Sequence, residues 1–248
     1  MISREQLINI GKKTGLHLYQ QEKDYLLKLF LFNYFRLFDD AVFKGGTCLR
    51  YVFGLDRFSE DLDFNILISP KEFDLQIQRI SKEFSLLGIK NYLIKKEFFR
   101  DAYTCAIAFQ GPLSTGTKQT RNKIRIDAGK RTGIIHIPEW KLIPSEYPET
   151  RSHFLVHTMD EQELLVEKIC SLLERQKGRD LYDVWFLLKK GVKVDTTLLY
   201  KKKKTKTLSL TLPTQREYTQ DIEKLTRRVI PYEQVKKEVL QALKNIGL

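Results

Sequence analysis

Asp61 and Asp63 stand two apart in SEDLDFNIL, where Leu62, Phe64 and Ile66 alternate with Asp61, Asp63 and Asn65. This period of two predicts a half-buried strand, with both carboxylates leaving one face and the apolar side chains entering a core on the other. Carboxylates held that way repel each other unless a cation sits between them. Hard oxygen ligands in this arrangement suit Mg²⁺, which takes one or two carboxylates together with phosphate oxygens and water. Gly45-Gly46-Thr47 lies shortly upstream and leads into a helix-like stretch ending at Phe53. Glycines there let backbone amides approach a phosphate, the helix N-terminus adds positive potential, and Thr47 offers a hydroxyl donor. Alone, Gly-Gly-Thr reads equally as a tight turn with an N-cap; beside the carboxylate pair, the functional reading is favoured.

A third carboxylate would complete a site for two metal ions that activate an attacking hydroxyl and stabilise the leaving phosphate. In KIRID, Ile124 and Ile126 alternate with Lys123, Arg125 and Asp127, which puts Asp127 on the polar face of a strand. A surface aspartate at a strand end is the alternative.

These segments resemble a family. KGGTCLRYVFGLDRFSEDLDF resembles the nucleotidyltransferase signature of the AbiEii/AbiGii-type toxin proteins, a branch of the DNA polymerase beta-like nucleotidyltransferases. ELLVEKICSLLERQKGRDLYDVWFLL resembles their second signature, in the family's order and separation. The resemblance implies a Mg²⁺-dependent enzyme that attacks the α-phosphate of a nucleoside triphosphate (NTP), releases pyrophosphate and attaches the nucleotide to an acceptor hydroxyl. It further implies a toxin acting on RNA such as tRNA, silenced by an antitoxin encoded alongside it. Carried onto this chain, Asp61, Asp63 and Asp127 hold metal, while Lys44, Gly45, Gly46, Thr47 and Ser59 fall in the nucleotide-binding motif. Ser59 either orients a carboxylate or caps the turn. Lys168 is implied to contact phosphate, and Asp183 to orient it or help deprotonate the acceptor. Cys48 replaces the family's usual small aliphatic residue, KIRIDAGKR matches a loosely defined part of the pattern, and the stretch 192–212 has no match.

The second signature also has a plain physical reading. Leu165, Ile169 and Leu172 form an apolar stripe on a helix, and Lys168, Ser171 and Arg175 follow a neighbouring one. Asp180 and Asp183 share one helix face, so they either serve the site or pair with Arg175 or Arg179 across a helical hairpin.

The elements that must position these residues divide the chain into two domains. Residues 1–158 read as an α+β, nucleotidyltransferase-like core: a mixed, largely antiparallel sheet flanked by helices. Ser3 with Gln6 caps a first helix, a second runs from about Gln20 to Phe38, and Pro70 opens another. Strands are expected at 62–66, 91–98, 103–109 and 123–128. Residues 159–248 read as a helical domain that completes the active site, beginning with a capping box formed by Asp160 and Glu163.

With 248 residues the chain can bury its own core, and its formal charge of +12 favours a polyanionic partner. Cys48, Cys105 and Cys170 lack metal or redox spacing and read as buried thiols. No stretch reaches the ~18 apolar residues of a membrane span, and the N-terminus lacks a signal-peptide pattern, so a cytoplasmic location is expected. His153 and His157 have helical metal spacing, but SHFLVHT alternates as a strand. The lysine run at 201–204 reads as a solvated loop. A phosphotransferase moving a terminal phosphate, or a non-catalytic nucleic-acid-binding protein on the same fold, are the competing functions.

Overall fold

The computed structural model describes residues 1–130, 133–202 and 211–247. Arg131, in KIRIDAGKR, lies outside the described residues, as do Lys203 and Lys204 of the lysine run and TLSLTLP up to residue 210. The chain forms two units, one built from Met1–Val52, Glu60–Thr132 and Pro138–Thr158 and the other from Phe53–Ser59, Gly133–Ile137 and Met159–Leu248.

The first unit holds helices α1 (Arg4–Thr14), α2 (Leu18–Leu37), α3 (Gly45–Phe53, whose last residue passes into the second unit) and α4 (Pro70–Leu86). Its strands are β1 (Ala41–Lys44), β2 (Leu62–Ile66), β3 (Asn91–Phe98), β4 (Ala102–Phe109), β5 (Asn122–Lys130), β6 (Glu139–Pro144) and β7 (His153–Thr158). They form a seven-stranded sheet in the order β3-β4-β5-β2-β1-β7-β6. The β2/β5 and β1/β7 pairs are parallel and the other four antiparallel, giving the mixed, largely antiparallel sheet of an α+β fold. Capping boxes at Ser3/Gln6 and Ser69/Glu72 start α1 and α4, with Pro70 opening the latter. Strand β6 escapes the sequence pattern because EWKLIP carries charges at positions 139 and 141 and ends in a proline that cannot donate to a ladder.

Helices α2 and α4 cover one face of the sheet. Phe64 of β2 centres that layer, with ring centroids 5.6 Å from Tyr34, 5.7 Å from Phe43 and 5.9 Å from Phe73. Helix α2 is buried on nearly every side, charged residues included. Its Asp24 accepts from Arg50 at 2.6 Å, Tyr51 at 2.9 Å and Tyr147 at 2.8 Å. Burial pushes that carboxyl up, but Arg50, Lys28 and the two tyrosine hydroxyls outweigh it and hold its pKa below the ordinary aspartate value.

The second unit holds α5 (Glu161–Arg175), α6 (Gly178–Lys189), α7 (Thr196–Lys202), α8 (Gln215–Ile222) and α9 (Tyr232–Lys244). Gly178 opens α6 where a Cβ would meet the Tyr218 Cα at 2.6 Å, so α6 and α8 approach closely there. Asp160 caps α5 by accepting from the Gln162 and Glu163 amides at 3.0 and 3.1 Å. The expected return bond from Glu163 is replaced: its buried carboxylate accepts the Ile135 and His136 amides at 3.0 and 2.9 Å and pairs with Lys202 at 2.7 Å. Lys202 also meets Glu167 at 2.9 Å, so the start of the lysine run ends a helix in a buried ion pair rather than in a solvated loop.

Candidate active site

Within the first unit, strand register builds one row of side chains across the sheet. Lys44 of β1 lies opposite Asp63 of β2, Asp63 opposite Asp127 of β5, and Asp127 opposite Thr104 of β4. Phe43, Phe64, Ala128 and Tyr103, the next residues along, enter the core on the other face, so period two sends the row outward. Asp61 sits just before β2, half-buried like Asp63 and Asp127. Thr104 donates to Asp127 Oδ1 at 2.8 Å, and Arg125 Nε approaches Asp127 Oδ2 at 2.7 Å.

The Gly-Gly-Thr turn closes onto this row. Helix α3 begins directly after β1, and Gly45 turns the chain with φ +76°, in the left-handed region. A Cβ on Gly45 would lie 2.0 Å from Asp63 Oδ2, so the carboxylate rests against the bare Cα. Thr47 is buried, and its hydroxyl donates to the Asp61 backbone carbonyl at 2.6 Å. That hydroxyl therefore fixes the chain entering β2, whereas the sequence reading offers it to phosphate. Arg50 and Tyr51, on the same helix, fasten α3 to Asp24 of α2.

The donor set fits a hard divalent cation. Burial, then neighbouring Glu60, and Asp127 more weakly, raise the Asp61 carboxyl above its ordinary pKa against the lowering by Arg125 and Lys23. Such crowding of carboxylates is relieved by positive charge, and Arg125 supplies some of it at Asp127. Among the described residues, no three His, Cys, Asp or Glu side chains gather closely enough to hold a metal alone. Mg²⁺ does not require that, since phosphate oxygens and water complete its shell.

The second unit carries its own polar cluster. Asp183 is fully buried, and Arg57 grips it in a fork, Nε to Oδ1 at 2.6 Å and the second N–H group to Oδ2 at 2.7 Å. Lys168 Nζ lies 2.7 Å from Asp183 Oδ2 and 3.7 Å from Asp180 Oδ1. Burial raises the Asp183 carboxyl, yet Arg57 and Lys168 more than compensate and its pKa falls below the aspartate range. Asp180 pairs with Arg175 at 3.0 Å, as the hairpin alternative has it, while its buried Oδ2 lacks a hydrogen-bond partner. Arg57 itself escapes the sequence reading although it lies inside the first signature. The available signal is that a buried aspartate on an apolar helix demands a cation.

Asp61, Asp63, Asp127, Lys44, Gly45, Gly46 and Thr47 thus share the first unit, whereas Ser59, Lys168 and Asp183 belong to the second. No helix among the described residues is long and apolar enough to cross a membrane. His153 and His157 sit on strand β7, not on a helix.

The model of the family described as nucleotidyl transferase AbiEii toxin, type IV toxin–antitoxin system, matches residues 29–245. No curated protein matches the chain in sequence. Among solved structures, the nucleotidyltransferase toxin MenT4 (Rv2826c) of Mycobacterium tuberculosis H37Rv superposes with a TM-score of 0.71 at 16% identity, over 100% of this chain and 91% of that one. JHP933 from Helicobacter pylori superposes with a TM-score of 0.59 at 19% identity, over 93% of each chain. At these identities the likeness is one of fold.

Proposed function

Since the chain belongs to the AbiEii family of nucleotidyltransferase toxins of type IV toxin–antitoxin systems, we propose that it moves a nucleoside monophosphate from an NTP to an acceptor hydroxyl on RNA, tRNA being one candidate, and that a cognate antitoxin counters it. The observation that carries this reading is the row in which Asp63 stands opposite Asp127 with the Gly45 Cα against its carboxylate. Turn and carboxylates form one construction, as a site for phosphate and metal needs.

Asp61, Asp63 and Asp127 would hold Mg²⁺, as one or two ions, and the bound metal supplies charge neutralisation and an activated hydroxyl. The amides of Gly45 and Gly46 face the phosphates at the start of α3, and Lys44 adds a cation at the end of β1. Lys168 offers its ammonium to phosphate charge. Asp183 acts as the anion that orients Lys168: with its carboxyl pKa held low by two cations, it is a poor proton acceptor. Pyrophosphate leaves as the acceptor oxygen bonds to the α-phosphorus.

The test is incubation with Mg²⁺, total RNA and triphosphates labelled in turn at the α- and γ-phosphate, with Asp61→Ala as control. Covalent α label on RNA supports the reading. Transfer of γ label would replace it with a phosphotransferase, and an Asp61→Ala protein as active as the parent would sink the carboxylate assignment.

A further inference from the structure

The face of β3, β4 and β5 opposite α4 has an unusual composition. Strand β4 turns Tyr103, Cys105, Ile107 and Phe109 into the core beneath α4 and leaves small residues on the other side, Thr104 and Ala106 half-buried and Ala108 buried beneath its neighbours. Its neighbours carry long side chains on that same side. Register places Lys95 of β3 and Arg125 of β5 on either flank of Ala106, and Tyr92 and Lys123 on either flank of Ala108. The result is a trough with a floor of small side chains and walls of long ones. It runs from Asp127 toward Lys123, four residues or about 13 Å along β5.

The walls are basic and end in an aromatic platform. Lys95, Lys123 and Arg125 are exposed, and Arg121 lays its guanidinium 4.0 Å from the centroid of the Tyr92 ring, which is 38% exposed. Carboxylates temper those four cations at the metal end: Glu97 lies 3.2 Å from Lys95, Asp127 pairs with Arg125, and Asp61 and Asp63 act on Arg125 more weakly. A basic groove with an aromatic face at one end is what an unpaired nucleic-acid strand requires, phosphates tracking the cations and a base stacking on the ring.

We propose that this trough is the track for a single-stranded segment of the RNA acceptor, laid along β4 with its reactive end at Asp127 and a base stacked on Tyr92. This rests on the RNA nucleotidyltransferase reading above. An antitoxin polypeptide is the competing occupant, and it would have no need of the Tyr92–Arg121 platform beside a row of cations.

The test compares the purified full chain with Lys95→Glu/Lys123→Glu, with Tyr92→Ala, and with Lys236→Glu/Lys237→Glu on α9 as a charge-matched control. Each is first shown to melt as the parent does. Dissociation constants are read by fluorescence anisotropy for a labelled single-stranded RNA oligonucleotide and for a blunt RNA duplex, alongside NTP binding. The trough reversal is expected to weaken single-strand binding at least ten-fold and to flatten the dependence of log Kd on log salt by roughly 1.4, the loss of two phosphate contacts. Tyr92→Ala should weaken it roughly ten-fold. NTP binding and the α9 control should match the parent. An unchanged RNA constant in the folded trough variants, an equal loss in the α9 control, or duplex bound as tightly as single strand would each overturn the proposal. If the parent adds α label to RNA while the trough variants bind as it does, only the track falls; if the parent labels no RNA, the acceptor reading falls with it.

Discussion

Arg57 and Asp183 lie 126 residues apart in sequence and share two hydrogen bonds of 2.6 and 2.7 Å inside the second unit. Asp183 has no exposed surface, so the pair is a condition for burying it at all.

Arg57→Ala is expected to destabilise the protein by about 3–5 kcal/mol, the cost of leaving a buried carboxylate with half its counter-charge. Arg57→Lys should lose less, since an ammonium replaces one arm of a planar fork. Urea unfolding checks both, and a loss below about 1 kcal/mol for the alanine variant would show that the pair matters little. Because Asp183 titrates below the ~3.9 of a free aspartate, its stabilisation is complete above that pH and is lost as pH falls through the lowered folded value.

Gly45→Ala should be severe, for it places a Cβ 2.0 Å from Asp63 Oδ2 on a backbone with φ +76°. A loss of about 2 kcal/mol or more is expected. Adding Asp63→Ala removes the clash but not the backbone strain, so the double variant should recover part of the stability. Simple additivity in a denaturation cycle would refute the contact.

Thr47→Val removes the donor to the Asp61 carbonyl and should cost about 1–3 kcal/mol, while Thr47→Ser keeps the bond and stays near the parent. The discriminating measurement is KM for the NTP alongside stability. A raised KM with unaltered stability would instead mean that the hydroxyl serves phosphate.

His136 lies between two carboxylates, Nδ1 2.8 Å from Asp160 and Nε2 3.4 Å from Asp195. The hydrogen bond to Asp160 does most to raise its pKa, against a smaller opposing effect of burial. Its contribution is therefore full below the ~6.5 of a free histidine and lost as pH climbs through the higher folded value. Urea midpoints should fall from pH 6 to pH 8 in the parent and stay level across that window in His136→Gln.

Metal dependence can be read without turnover. At neutral pH, Mg²⁺ at a hundredfold its Kd should add about 2.7 kcal/mol of stability by mass action. Chelation should reverse the gain, and Asp61→Ala/Asp63→Ala should show none of it in thermal unfolding.

Local pattern carried much of this molecule. The alternation around Asp63 and Asp127 marks their strands and their outward faces, because period two is written in consecutive residues. Which strands lie side by side is not written there, so the Asp63–Asp127 pairing needs the fold. Arg125 was legible, two residues before Asp127 on the same strand face. Arg57 was not, because a pair spanning 126 residues leaves no local signature. Glu163 shows the opposite failure: it sits where a capping box wants it, but the amides of Ile135 and His136 claim its carboxylate. Thr47 shows the same limit: nothing in Gly-Gly-Thr says that the Asp61 carbonyl will lie within reach of its hydroxyl.

The segment Phe53–Ser59 belongs with helices made much later, and this has a bearing on how the protein is born. Arg57 leaves the ribosome 126 residues ahead of Asp183, a wait of roughly 6–25 s at about 5–20 residues per second. Until then the nascent chain holds a cation whose mate does not yet exist. A fragment cut at residue 158 would carry Arg57 without Asp183, and its complement Asp183 without Arg57. A product truncated there should therefore leave Arg57 without the carboxylate that it grips in the whole chain.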